Sequence, residues 1–150
     1  MHGFYQGCSV IEDLIEFEAP DVQMLQEHWL TPTKLGLFDS RFTDYFPFGC
    51  SAMSSRVEAG MLRGRPYGGV TRMTLIKKSL GNVTTMIHSE DRFVVVKILN
   101  CLFINVYLPC SGTPDRQAIY ENLLDDIGIG YVFGAIVIMT VNALLVAILM

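Results

Sequence analysis

The sequence predicts a layered α/β (α+β) domain, a mixed sheet with helices, followed by an apolar C-terminal helix. Three observations predict it. Val10, Ile11, Leu14 and Ile15 recur at helical spacing and give way to a short apolar strand run at Val22, Met24 and Leu25. Two β-branched and aromatic runs, 93–98 and 102–107, lie close enough to pair as a hairpin. Residues 128–150 carry no charge and exceed the roughly 18 apolar residues that make a transmembrane helix candidate. A chain of 150 residues suffices for one domain with a core, here 1–127, with 128–150 as an apolar tail.

The first helix has a start signal in Ser9-Val10-Ile11-Glu12, a capping-box pattern in which hydroxyl and carboxylate satisfy free backbone N–H groups. Ala19-Pro20-Asp21 stops it. The strand that follows lies within DVQMLQEHWL, Asp21 to Leu30, where a carboxylate, an imidazole and the single tryptophan stand as the apolar run ends. A strand ending in acid can hold a metal, which makes Glu27 a metal-ligand candidate. The plainer reading is one solvated carboxylate.

Beyond Trp29 the pattern loosens. Thr31-Pro32-Thr33 reads as a turn or helix start, and Phe38, Phe42, Tyr45, Phe46 and Phe48 form an aromatic-rich segment. Arg41 is the single basic residue among them, so core or interface packing is favoured over stacking on bases. Arg63-Gly64-Arg65-Pro66-Tyr67-Gly68-Gly69-Val70 then combines guanidinium forks with glycines that let backbone approach a phosphate. A hairpin loop with solvated arginines fits the same residues. Lys77 and Lys78 either track phosphates without sequence preference or sit in a solvated turn.

The late hairpin breaks at Asn100-Cys101 and ends at Tyr107-Leu108-Pro109. Thr113-Pro114 opens a helix whose apolar face is Ile119, Tyr120, Leu123, Leu124 and Ile127.

Composition narrows the classes. Lys and Arg number 11 against 15 Asp and Glu, a net charge of -4, which does not suggest a general nucleic-acid binder. The basic residues Arg63, Arg65, Arg72, Lys77 and Lys78 cluster in a stretch without a carboxylate, while the N-terminal part is acidic. Cys8, Cys50, Cys101 and Cys110 lack zinc-site spacing and read as reduced, intracellular thiols. Met1 to Cys8 has no signal-peptide pattern.

QEHWL, then LRGRPYGGV, then INVYLPC, in that order between about Ile11 and Ile127, resemble the N-terminal endonuclease of LINE-type (non-LTR) retrotransposons, a branch of the endonuclease/exonuclease/phosphatase family. The resemblance implies a partial two-sheet sandwich, lacking its second half, and Mg- or Mn-dependent hydrolysis of DNA phosphodiesters. It implies that Glu27 holds the metal, that Tyr107 reaches the scissile phosphate, and that Arg63, Arg65, Lys77 and Lys78 lie near DNA.

Departures from the family pattern are several. No Asn precedes the first helix, Thr71 to Thr74 intervene between the Gly pair and the next apolar strand, and Cys110 replaces an Asn found in some relatives. The Gly-Asp-x-Asn and Ser-Asp-His segments that finish the family's active site have no counterpart after Asp126. Removing a general base alone costs about 10²- to 10⁴-fold, so the chain is expected to be catalytically incomplete. A second reading is a small tail-anchored membrane protein whose remaining part binds a partner, with 128–150 in the membrane; without insertion a nuclear or cytoplasmic location is expected. A third is a chain with no selected function.

Overall fold

A computed structural model describes residues 3–51, 57, 59–60, 72–90, 92–108, 114–130, 136–141 and 145–147. Helix α1 spans Phe4–Glu18, five residues earlier than the capping-box pattern predicts. Its start is held from outside the helix: the N–H groups of Gly3 and Phe4 donate to the carbonyls of Glu27 (2.9 Å) and His28 (2.8 Å). Helix-start donors need partners, and an outside carbonyl serves as well as a capping side chain. The buried face is Phe4, Gly7, Cys8 and Ile11, whereas Val10 is exposed and Ser9 lies mid-helix. Ala19, in the left-handed region at φ 42°, ends the helix before Pro20.

Strand β1 is Val22–Gln26. A 3₁₀ turn at Pro32–Lys34 and helix α2, Leu37–Arg41, lead to β2, Tyr45–Cys50. Strand β3 is Arg72–Lys77, so Arg72, Met73 and Thr74 belong to the strand they were expected to precede. A 3₁₀ segment, Lys78–Val83, carries the chain to the second sheet, built from β4 (Thr84–Ser89), β5 (Phe93–Ile98) and β6 (Cys101–Val106). Helix α3, Arg116–Gly130, precedes β7 (Ile136–Val141) and β8 (Leu145–Ala147).

These strands form two four-stranded sheets, in the orders β2-β3-β1-β8 and β4-β5-β6-β7. The first is antiparallel throughout; the second is antiparallel except for the parallel pair β6–β7. Strand alternation assigns the faces. Val22, Met24 and Ile76 of the first sheet pack against Val94, Val96, Ile98 and Phe103 of the second, an inner layer of a sandwich. The outer face of the first sheet, with Leu25, Tyr45, Met73 and Leu75, is covered by Phe4, Cys8 and Ile11 of α1 and by Phe38 and Phe42. Phe4 meets Phe38 edge to face at 4.8 Å, so most of the aromatic segment is core.

Two expectations are corrected here. The partial sandwich stands, but strands of a second sheet are present where that half was expected to be missing. The described residues of the tail do not form one apolar helix: Gly128 to Gly130 end α3, and the two strands described beyond it join one sheet each, β7 beside β6 and β8 beside β1. Its β-branched composition suits extended backbone with paired neighbours better than a lone helix. Among the described residues no helix is long and apolar enough to cross a membrane.

Candidate functional site

The turn after β1 is fixed residue by residue. Gln26, His28 and Leu30 are buried, while Glu27 is half-buried and Trp29 is 40% exposed. Both outward residues have left-handed backbone, φ 61° at Glu27 and 55° at Trp29. Non-glycine residues hold such angles only where surrounding bonds dictate them. Here the bonds are the two from α1 and an internal one: His28 Nδ1 accepts from the Leu30 N–H at 3.1 Å, and the Leu30 carbonyl accepts from Ser51 Oγ at 2.8 Å. Burial drives the His28 pKa from 6.5 down to about 3, against a backbone hydrogen bond with Cys50 that favours protonation. The imidazole is therefore neutral at ordinary pH and works as an acceptor strut.

Gln26 and Asn105 occupy inward positions at the ends of β1 and β6. Asn105 Oδ1 accepts from Gln26 Nε2 at 2.9 Å, and the same Nε2 donates to the Val106 carbonyl at 2.9 Å. Asn105 Nδ2 donates to the carbonyls of Leu25 (3.1 Å) and Met73 (3.3 Å). Both side chains are buried, so these bonds satisfy groups that would otherwise be stranded in an apolar layer. They also lock the ends of the two sheets together. Just past the last residues of the two strands, Gln26 and Val106, Tyr107 Oη donates to Glu27 Oε1 at 3.0 Å.

The structure thus brings two of the predicted residues, Glu27 and Tyr107, to one edge of the sandwich. Lys77 and Lys78 lie at the other end of the first sheet, about six strand positions from Glu27, or roughly 20 Å at strand rise. Lys77 Nζ donates to the Ala19 carbonyl at 2.9 Å and pairs with Asp21 at 3.5 Å. Lys78 Nζ sits 5.5 Å from the centre of the Phe46 ring. Arg63, Arg65 and the rest of the Arg63–Val70 loop, with Cys110 and Thr113, lie outside the described residues.

Mg takes six oxygens, usually from one or two carboxylates, several waters and substrate phosphates. Among the described residues no three His, Cys, Asp or Glu side chains converge as a metal site. Glu27 by itself would hold Mg or Mn only weakly, together with waters and a substrate phosphate, and no metal-dependent step follows from the described residues. The residues that sequence reasoning passed over are Gln26, His28 and Asn105. For Gln26 and Asn105 a signal was present: a polar residue at inward strand parity among apolar ones.

No family model matches the chain, and no curated protein matches it. Solved structures do. One is D. rerio TDP2 complexed with single strand DNA product, with TM-score 0.56 and 16% identity, covering 93% of this chain and 54% of that one. Another is a humanized D. rerio TDP2 carrying 14 mutations, with TM-score 0.57 and 14% identity, covering 93% and 55%. The chain spans about half the length of these structures. The chain shares the fold of these structures, two packed sheets with helices.

Proposed function

We propose that the chain carries the acid-and-tyrosine part of a DNA phosphodiesterase site of the retrotransposon endonuclease type, and that by itself it is catalytically incomplete. The observation that carries this reading is the 3.0 Å bond between Tyr107 Oη and Glu27 Oε1 at the shared edge of two sheets. A conserved fold alone says nothing about chemistry. The motifs QEHWL and INVYLPC, which deliver these two residues, add weight, as does a neighbour of the same fold complexed with single strand DNA product. Tyr107 can turn its hydroxyl from Glu27 to a phosphate oxygen, a charge-assisted bond about twice as strong as a neutral one. Arg63 and Arg65 are proposed to contact the strand electrostatically. Mg or Mn belongs to the chemistry of the complete family site, and Glu27 is the residue here proposed to have supplied an oxygen to it.

The test pairs activity with binding. Nicking of supercoiled plasmid in Mg or Mn should not exceed that of Glu27→Ala prepared in parallel, with matching circular dichroism. Nicking abolished by the substitution would show that the site is complete and overturn the claim of incompleteness. Fluorescence anisotropy of a labelled single strand should rise with the chain and rise less with Tyr107→Phe, by about tenfold or more in affinity for a hydrogen bond to a charged group. Equal affinity for both would remove Tyr107 from the DNA contact.

A further inference from the structure

The Glu27 turn presents a second group outward that the acid-and-tyrosine reading does not use. Trp29 is the single tryptophan of the chain and is 40% exposed. Large apolar side chains this open are common on surfaces, but this one is held. Its indole packs on Gly3, where a Cβ would come within 2.9 Å of Cε3, and Gly3 itself has φ 87°, a glycine conformation. The N–H of the same Gly3 donates to the Glu27 carbonyl at 2.9 Å. One glycine therefore touches both the aromatic ring and the backbone of the acid. Trp29 is two residues from Glu27, at most about 7 Å along the chain, and its own backbone is in the left-handed region. Left-handed angles at bulky residues persist only where the surrounding structure dictates them, and they cluster at functional sites.

We propose that Trp29 is a stacking platform for a nucleobase of single-stranded nucleic acid, seating one nucleotide beside the Glu27–Tyr107 pair. The inference rests on the DNA reading above and deepens it by naming a base contact where that reading supplies only phosphate contacts. Indole is the best of the side chains for stacking, and stacking tolerates any base because every base has a π face. It also gives a chain with a net charge of -4 a source of affinity that is not electrostatic. Binding through such a platform should lose less with added salt than binding through phosphates alone.

Because Trp29 is the sole tryptophan, its emission reports this position directly. Titrating the full chain with oligothymidylate at low salt should quench the emission saturably, in step with the anisotropy of a labelled strand. An abasic strand of the same length should quench little. Trp29→Leu should weaken binding about thirtyfold, the middle of the range for loss of one stacked base, and Trp29→Phe by less. Gly3→Ala, which forces the indole to shift, should weaken binding although Trp29 itself is unchanged. Circular dichroism of each variant shows whether the fold is kept, and the quenching of the unaltered chain needs no variant at all. Anisotropy that rises with emission unchanged, or equal quenching by the abasic strand, would overturn the platform and leave DNA binding standing. No anisotropy change with any strand would overturn both.

Discussion

Strand β1 has a carboxylate just beyond each end, and the two are held in different ways. Asp21 is met by Lys77, which comes from the neighbouring strand of the same sheet at 3.5 Å and is also bound to the Ala19 carbonyl. Glu27 is met by the neutral hydroxyl of Tyr107, which comes from the other sheet. Near Asp21 one residue, the helix cap Ala19, is left-handed; at the Glu27 turn Glu27 and Trp29 both are, and the turn is tied by bonds from α1, His28 and Ser51. An ion pair between adjacent strands is what sheet pairing gives at little cost. A carboxylate aimed at a tyrosine of another sheet requires the whole edge to be built for it.

The largest effect should come from cutting the bonds that build that edge. Asn105→Leu removes one of the two acceptors of Gln26 Nε2 and the donor to the Leu25 and Met73 carbonyls, all of it buried. Leaving buried polar groups unsatisfied costs about 1–3 kcal/mol each, so a loss of about 3 kcal/mol is expected. For a chain of this size that is a fall in melting temperature of roughly 6–12 °C. A loss under about 1 kcal/mol would mean that the two sheet ends are held by packing and not by this amide lattice.

Next in size is the dependence on pH set by His28. Its folded pKa is lowered to about 3 from 6.5, so below pH 6.5 the unfolded chain takes up a proton that the folded chain refuses. Stability is then full above about pH 6.5 and falls as pH drops toward 3, by about 1.4 kcal/mol per unit. Between pH 6.5 and 5 the loss should be about 2 kcal/mol, read from urea midpoints. His28→Asn keeps an acceptor near the Leu30 N–H and removes the titration, so its stability should be lower but flatter over the same range. Equal slopes for the two proteins would place the pH dependence elsewhere.

The same comparison explains what could be read from the sequence. The hairpin of β5 and β6 was legible because β-branched runs announce themselves, although the turn is Leu99-Asn100, with Leu99 left-handed, one residue before the expected break. Glu27 and Tyr107 were legible as motif residues, but their contact was not, because a bond across 80 residues leaves no local pattern. The start of α1 at Phe4 was missed since its cap is the carbonyl of Glu27, a tertiary partner no N-terminal motif encodes. The tail was misread for a related reason. An uncharged apolar run suits a membrane helix and a buried strand alike, and only the open edges of β6 and β1 decide between them. Lys77 looked like a phosphate contact because Asp21, its partner, is 56 residues earlier in the chain.

Two smaller substitutions sharpen the contrast between the carboxylates. Tyr107→Phe removes one half-buried hydrogen bond and leaves a carboxylate that water reaches, so folding should lose about 0.5–1 kcal/mol. Asp21→Asn should cost still less, below about 0.5 kcal/mol, because Lys77 is about a third exposed, keeps the Ala19 carbonyl, and forms with Asp21 a pair that solvent screens. That small cost should also vanish in concentrated NaCl, whereas the Tyr107→Phe cost should not, since a hydroxyl-to-carboxylate bond is short-ranged while a partly exposed ion pair is weakened by counterions. Measuring both variants by urea denaturation at low and high salt separates the two kinds of strand end. If Asp21→Asn proved the costlier, and remained so in salt, the Asp21 end would be the more constructed of the two, and the claim that only the Glu27 edge is built for a ligand would fail.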